Sequence, residues 1–143
     1  MNKYIFILLF FCINLMGDVR VVTLTPSINE IVYALGMGKD VVANTKYCDF
    51  PEESKNVKKV GGYATISLEK IIQAKPTVVI AQNYDEKLLR NLKSLGIKTM
   101  VFKTDTIDSI KNTILTLGKY FGKQEKANEA RKSNHIFSAI WGW

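Results

Sequence analysis

The sequence predicts an α/β fold in which a central, mostly parallel sheet is flanked by helices. From Val19 onward, short runs rich in β-branched residues alternate with longer amphipathic stretches, the order that such a sheet requires. Residues 77–81 form a continuous apolar run, as expected for a strand buried on both faces. The chain of 143 residues, 47% hydrophobic and 23% charged, is long enough to bury one core of this kind.

The first unit of the fold begins with a strand over residues 20–24. Ser27 is followed three residues later by Glu30, a capping-box pattern that predicts the start of a helix. Gly36 marks the end of that helix, because glycine readily adopts the left-handed conformation that closes many helices. Residues 41–45 are predicted to form the second strand.

The middle of the chain is less regular. Residues 46–59 are polar and have no clear period, so we interpret them as an irregular connection, followed by a turn-rich piece at residues 60–63. Ser67 is predicted to cap the next helix, and Pro76 ends it. The buried strand over residues 77–81 comes directly afterwards.

The carboxyl-terminal part repeats the same alternation. Its predicted elements are a helix over residues 85–95, a strand over residues 97–102, a helix from Thr106 or Asp108 to Gly122, and a polar helix over residues 124–132. From Ser133 the chain becomes apolar and aromatic without a capping signal.

Residues 1–17 have the three-part pattern of a secretory signal. Lys3 supplies the positive start, residues 5–13 the apolar stretch, and residues 15–17 a cleavage region, so we expect export. An uncleaved anchor or a buried amino-terminal strand is the alternative. The apolar run is shorter than the roughly 18–20 residues of a membrane span. Lipid anchoring at Cys12 is disfavoured because bulky phenylalanines precede it.

The chain is basic, with a formal net charge of +7. Nearly all of the positive charge comes from lysines that are scattered singly among acidic residues, and the arginines are Arg20, Arg90 and Arg131. Nucleic-acid recognition favours clustered arginines, whose planar fork matches phosphates and base edges. We therefore interpret the charge as a solvated basic surface and predict no nucleic-acid partner.

Cysteine and histidine use argues against a metal site or an enzyme. Outside the leader, Cys48 is the only thiol, and His135 is the only histidine in the chain. No Cys/His cluster is available for a metal, and Cys48 is interpreted as structural. The first strand is not followed by a G-x-G-x-x-G motif, and Ser27 lacks a nucleophile elbow. We therefore predict no catalytic residues and no metal ligands.

Ligands of parallel α/β sheets bind at the carboxyl ends of the strands. The loops expected at this edge contribute six candidate residues, namely Pro26, Ser27, Tyr47, Tyr63, Gln82 and Asn83. Tyr47 and Tyr63 can stack on a flat or apolar ligand, or they can pin their loops to the core, and both interpretations stay open. Glu69 lies in the first turn of its helix, where a carboxylate favours the helix dipole.

Five blocks of sequence in a fixed order resemble a known family. They are residues 20–30 (RVVTLTPSINE), 47–51 (YCDFP), 60–63 (VGGY), 67–71 (SLEKI) and 75–80 (KPTVVI). Together they resemble the amino-terminal lobe of the periplasmic binding proteins that serve ABC importers of vitamin B12, iron-siderophores and haem. The resemblance runs from about Arg20 to Ala130, and its specificity lies in the ordered set rather than in any one block.

The resemblance implies a monomeric, non-enzymatic protein of the periplasm that delivers its ligand to a membrane permease. In this family two lobes are joined by one long helix, and the ligand lies between them. Tyr47 and Tyr63 match positions that contact ligand, and Glu69 matches a glutamate that pairs with permease arginines. The implied ligand is a corrinoid, haem or a ferric chelate, with no resident cofactor. Direct metal binding is disfavoured because His135 is the only histidine.

The resemblance also implies a domain organisation. Residues 1–17 are the signal peptide, residues 18–122 the solute-binding lobe, and residues 123–143 the start of the linking helix with an atypical tail. The second lobe is absent, so we expect a truncated or frame-shifted product, or half of a split protein. Two rival hypotheses remain: a small α/β enzyme without a recognisable site, and a fragment without activity.

Overall fold

The computed structural model describes residues 17–82 and 85–141. Its strands are β1 (Val21–Thr23), β2 (Val41–Asn44), β3 (Lys58–Lys59), β4 (Val78–Gln82) and β5 (Lys98–Phe102). Its α-helices are α1 (Pro26–Ala34), α2 (Leu68–Gln73), α3 (Glu86–Ser94), α4 (Ile107–Tyr120), α5 (Gln124–Ala130) and α6 (Asn134–Trp141). Two short 3-10 helices lie at Gly38–Asp40 and Glu52–Asn56. The predicted leader covers residues 1–17, of which residues 1–16 fall outside the described residues.

The strands form one five-stranded sheet in the order β3-β2-β1-β4-β5. Each neighbouring pair of strands within it is parallel. Helices cover both faces, which confirms the predicted α/β fold. The central strands β1 and β4 are flanked on both sides. Because all five strands run in the same direction, their carboxyl ends lie along one edge of the sheet.

Each face of the sheet has its own core. Along β4, Val78 and Ile80 point to one core while Val79 and Ala81 point to the other, and all four are fully buried. The first core receives α1, α4, α5 and α6, and the second receives α2 and α3. This arrangement explains why residues 77–81 read as an uninterrupted apolar run, since neither face of β4 meets water.

The predicted capping box at Ser27 is wrong. Thr25 occupies the N-cap of α1, and Pro26 is the first residue of the helix, where its fixed φ favours helix initiation and its missing N–H costs nothing. The side chain of Thr25 makes no capping hydrogen bond. Ser27 is therefore inside the first turn, and its hydroxyl is engaged elsewhere. The predicted cap at Ser67 is confirmed, because its side chain accepts a hydrogen bond from the backbone of its helix. Of the two predicted starts of α4, Thr106 or Asp108, the structure has Thr106 as the N-cap.

Residues 46–59 are more regular than predicted. They contain the 3-10 helix Glu52–Asn56 and the edge strand β3, which consists of Lys58 and Lys59. A strand of only two residues has no alternation to reveal it, and edge lysines discourage pairing with other chains. The turn-rich reading of residues 60–63 agrees with the absence of helix or strand there.

The apolar tail forms helix α6, which the sequence analysis did not predict. Ile136 is buried in the first core, and Phe137, Ile140 and Trp141 pack against that core. A turn at residues 131–133 separates α6 from α5. The domain boundaries and the linking-helix expectation for residues 123–143 stay predictions. None of the helices in the described part of the chain is long and apolar enough to cross a membrane.

Candidate functional site

The carboxyl edge of the sheet brings together several of the predicted site residues. Tyr47 follows β2, Tyr63 follows β3, and Gln82 is the last residue of β4. Ser27 lies in the first turn of α1, next to Pro26. Asn83 falls outside the described residues. Because the strands are parallel, the loops that carry these residues lie at the same edge of the sheet, as predicted from the sequence.

Tyr47 and Tyr63 form a stacked aromatic pair. Their ring centroids are 4.8 Å apart and their planes differ by 15°. Each side chain stays exposed, by 45% and 53% respectively, while the buried anchors of the two loops are Cys48 and Val60. The tyrosines therefore do not pin their loops to the core, and they present aromatic surface to the solvent. The ammonium of Lys46 lies 5.0 Å from the centre of the Tyr47 ring.

Two glycines permit the close approach of these loops. Gly61 has a φ of +127°, and a Cβ there would overlap the carbonyl oxygen of Thr65. A Cβ on Gly62 would stand 2.7 Å from Cε of Lys46 and 3.2 Å from the Tyr47 ring. The backbone of Lys46 donates to the carbonyl of Gly61 at 2.9 Å. Glycine is thus needed at position 61, whereas a side chain at position 62 would require Lys46 to move and the Tyr47 ring to shift by a few tenths of an ångström.

Ser27 and Gln82 meet beside this edge. The Ser27 hydroxyl donates to Oε1 of Gln82 at 3.0 Å and lies 3.2 Å from the hydroxyl of Thr104. These contacts join the first turn of α1 to the end of β4 and to the connection after β5. Ser27 thus acts as a tertiary hydrogen-bonding residue of the edge, which explains why it is polar without capping a helix.

A buried polar network supports the loop between β2 and β3. The Asn44 amide donates to Oδ1 of Asn29 and to the carbonyl of Ser54, both at 3.2 Å. Asn29 in turn donates to the carbonyl of Phe50 at 3.0 Å and accepts from the hydroxyl of Thr23 at 2.9 Å. Both asparagines are fully buried. Since buried amides are costly unless they are bonded, the network fixes the loop backbone in one position.

Lys59 extends this network from the neighbouring strand. Its ammonium donates to Oδ1 of Asn44 at 2.7 Å, and burial lowers the pKa of that ammonium. Neither Lys59 nor the two asparagines was among the site residues predicted from the sequence. One sequence signal could have identified Asn29 as a buried polar residue. It lies beside Ile28 and Ile31 in the otherwise apolar stripe of α1.

Cys48 is a structural thiol in this arrangement. It is 1% exposed, its sulfur lies 3.3 Å from the Thr45 hydroxyl, and burial raises the pKa of the thiol. The ring of His135 lies instead against Phe50, with 6.0 Å between the centroids. Within residues 17–82 and 85–141, no group of three or more His, Cys, Asp or Glu side chains could hold a metal ion.

A groove of about 950 Å³ lies beside the edge, between α1, the 3-10 helix Glu52–Asn56, α5 and α6. Glu30 lines it, and one oxygen of that carboxylate is buried with no hydrogen-bond partner in the described part of the chain. Burial, reinforced by the charge of Asp49, raises the pKa of Glu30 to about 7. Phe50 also lines the groove, but neither Tyr47 nor Tyr63 does. The groove and the tyrosine pair are therefore separate surfaces.

Glu69 lies away from this network, in the first turn of α2. It is exposed, and its carboxylate accepts a hydrogen bond from Nε2 of Gln73 at 3.3 Å. Because α2 follows β3, its first turn stands at the same end of the sheet as Tyr63. The side chain is free of the core and is accessible to another protein.

Comparison with known proteins identifies close relatives by sequence. The family model described as periplasmic binding protein matches residues 21–133. The vitamin B12-binding protein of Vibrio parahaemolyticus is 35% identical over 115 residues, which cover 79% of this chain and 42% of that protein. The vitamin B12-binding protein of Vibrio vulnificus is 36% identical over 118 residues, covering 80% and 43%. The chain thus spans less than half the length of the curated relatives that it matches.

Solved structures agree with the sequence comparison. The periplasmic vitamin B12 binding protein of Vibrio cholerae superposes with a TM-score of 0.71 at 32% identity, over 79% of this chain and 47% of that one. A periplasmic heme binding protein from Pseudomonas aeruginosa gives a TM-score of 0.74 at 21% identity, over 78% and 41%, a likeness of fold alone. By its sequence match and its fold, this chain belongs to the periplasmic binding protein family.

Proposed function

We propose that this chain acts as a solute-binding lobe of an ABC importer for a corrinoid or a related metal chelate. The observation that carries the proposal is the stacked, half-exposed pair of Tyr47 and Tyr63 at the carboxyl edge of the sheet. Exposed aromatic faces on rigid loops suit a flat, largely apolar ligand, because they add contact area with little loss of side-chain entropy. The family of the chain supports a transport role over catalysis.

A corrinoid is the first candidate ligand. Vitamin B12-binding proteins of three Vibrio species are 33–36% identical to this chain in sequence. The heme-binding neighbour from Pseudomonas aeruginosa is 21% identical. Haem and ferric siderophores are the competing ligands, and Pro26, Ser27, Gln82 and Asn83 are proposed to line the edge around whichever ligand is bound.

Binding by this lobe taken alone is expected to be weak. One lobe covers one side of a ligand and leaves the other side in water, so much less surface is buried than in a closed cleft. We expect a dissociation constant of roughly 10–1,000 μM for the preferred ligand.

Glu69 is proposed to contact the permease. An exposed carboxylate at the ligand-bearing end of the lobe is suited to arginines on a membrane partner, and such charges mainly set the orientation and rate of docking. This role requires the periplasm as the site of action and a monomeric lobe whose edge stays accessible.

A ligand panel tests the proposed function. Folded, monodisperse protein is titrated with cyanocobalamin, haemin and a ferric hydroxamate siderophore, and binding is followed by equilibrium dialysis and by the shift of the thermal midpoint. We expect saturable binding of cyanocobalamin and weaker binding of the other two. Saturable binding of haemin alone would move the assignment to haem, and no binding of any probe would refute the solute-binding role.

A further inference from the structure

The ammonium of Lys59 joins three parts of the chain. It donates to Oδ1 of Asn44 at 2.7 Å, to the carbonyl of Ser54 at 2.8 Å and to the carbonyl of Cys48 at 3.2 Å. All three acceptors are uncharged, and they saturate the three donors of the ammonium. The ammonium is therefore held by three hydrogen bonds to neutral acceptors and not by an ion pair. The three acceptors together fix its position.

The three acceptors lie along the loop that carries Tyr47. Asn44 is the last residue of β2, Cys48 directly follows Tyr47, and Ser54 belongs to the 3-10 helix that leads to β3. The hydroxyl of Ser54 also donates to the carbonyl of Cys48 at 2.8 Å. The carbonyl next to Tyr47 therefore receives two hydrogen bonds, and one of them comes from Lys59.

Lys59 also stands at the start of the connection to Tyr63. It is the last residue of β3, and the chain runs from it through Val60, Gly61 and Gly62 to Tyr63. One side chain thus ties the loop of Tyr47 to the strand that delivers Tyr63. The 4.8 Å stacking of the two rings depends on the relative placement of these two segments.

Apolar packing holds little of this loop. Tyr47, Asp49 and Phe50 are exposed, and the buried side chains are the small ones of Thr45, Cys48 and Ser54. Small side chains bury little apolar area, so the order of this segment rests mainly on hydrogen bonds, those of Asn29, Asn44 and Lys59 among them. Loss of the ammonium would leave three acceptors to find other partners or water.

We propose that Lys59 is a positioning residue that pre-organises the Tyr47–Tyr63 pair for ligand. The ligand part of this inference rests on the proposed function, whereas the positioning part stands on the geometry alone. Without Lys59 the Tyr47 loop samples several positions, and the lobe must order it again when ligand binds. Lys58 makes a matched control, because it lies on the same strand and is exposed.

The experiment compares Lys59→Met, Lys58→Met and Lys59→Arg in a Cys12→Ser background, where Cys48 is the only thiol. The rate at which Cys48 reacts with a disulfide reagent reports on loop opening without any ligand, and tyrosine near-ultraviolet circular dichroism reports on the ring pair. Titration with cyanocobalamin and haemin reports on binding. Lys59→Gln, which removes the ammonium and shortens the side chain, serves if Lys59→Met does not fold.

We expect Lys59→Met to raise the thiol rate at least about tenfold, to reduce the tyrosine signal and to weaken binding about tenfold. Lys58→Met should change none of these, and Lys59→Arg should recover part of each. An unchanged thiol rate in Lys59→Met, or in Lys59→Gln where that variant is used, would overturn the positioning role. A raised rate with unchanged binding would overturn the link to ligand. Failure of wild-type protein to bind either probe would refute the proposed function, while the thiol rate would still decide the positioning role.

Discussion

Gly62 lies so close to Tyr47 that a Cβ at this position would stand 3.2 Å from Cε2 of the tyrosine ring. The same atom would stand 2.7 Å from Cε of Lys46, a flexible side chain that can move away. The ring of Tyr47 has less freedom, because it also stacks on Tyr63. A side chain at Gly62 would thus press on the ring of Tyr47, and a large one would disturb the aromatic pair.

Gly62→Val should separate the two rings. The branched side chain would push into the ring of Tyr47 and displace Lys46, so we expect binding of cyanocobalamin to weaken by about 3–10-fold. The thermal midpoint should fall by only a few degrees, since the site is at the surface. Tyrosine near-ultraviolet circular dichroism and equilibrium dialysis measure the two effects. An intact tyrosine signal in this variant would contradict the packing described here.

Glu30 should make the protein less stable as the pH rises. Its pKa is raised from 4.5 to about 7 on folding, so the folded protein binds the proton more tightly than the unfolded chain does. The resulting loss of stability begins near pH 4.5 and is complete above pH 7. Because the side chain is half-buried, we expect Glu30→Gln to raise the free energy of unfolding by about 1–2 kcal/mol at pH 8.

At pH 4.5 the same substitution should have a much smaller effect, because Glu30 is then protonated in the folded protein and about half-protonated in the unfolded chain. Urea unfolding at both pH values measures the difference. Exposed Glu129, which lines the same groove, provides the control variant Glu129→Gln. A Glu30→Gln variant that gains equal stability at pH 4.5 and pH 8 would show that ionisation of Glu30 is not the cause.

Glu69→Ala should weaken association with the importer's permease. The exposed carboxylate is proposed to meet arginines, and an exposed pair contributes about 0.2–1 kcal/mol, which is a loss of about 1.5–5-fold per contact. The loss should shrink at high salt, where such charges are screened. Binding of the lobe to permease in nanodiscs measures it, with ligand affinity as a second readout that should not change.

Glu125→Ala is the matched control for Glu69→Ala. Glu125 is also exposed and lies in the first turn of its own helix, α5. It follows α4 instead of a strand, so it is not at the carboxyl edge of the sheet. Equal losses for the two variants would mean that only net charge matters and that Glu69 has no specific docking role.

The parts of the fold that follow from local patterns were predictable. The run at β4 is apolar throughout because both faces of that strand are buried, and Ser67 and Thr106 lie where side-chain caps belong. The cap predicted at Ser27 was wrong because the pattern also has a second explanation. Pro26 starts the helix by its own geometry, and Ser27 is polar because Gln82 meets it in the folded chain.

The placement of Tyr47 and Tyr63 at one edge of the sheet was predictable, but their arrangement there was not. Topology places the loops of Tyr47 and Tyr63 at one edge, yet their stacking depends on β3, a strand of two lysines that no periodicity reveals. The contacts of Lys59 depend on the same strand. Helix α6 was missed because its sequence carries no capping signal, and its packing on the first core decides its structure.

Titration of cyanocobalamin into wild-type protein and into Tyr47→Ala, Tyr63→Ala and Tyr120→Ala tests the central claim most directly. Tyr120 is an exposed tyrosine that packs beside Lys98, at the opposite end of the sheet, and serves as the control. We predict that the wild type binds and that each edge substitution weakens binding by about 3–10-fold. Tyr120→Ala should bind like wild type. Equal affinity of the wild type and the Tyr47→Ala and Tyr63→Ala variants would contradict the account.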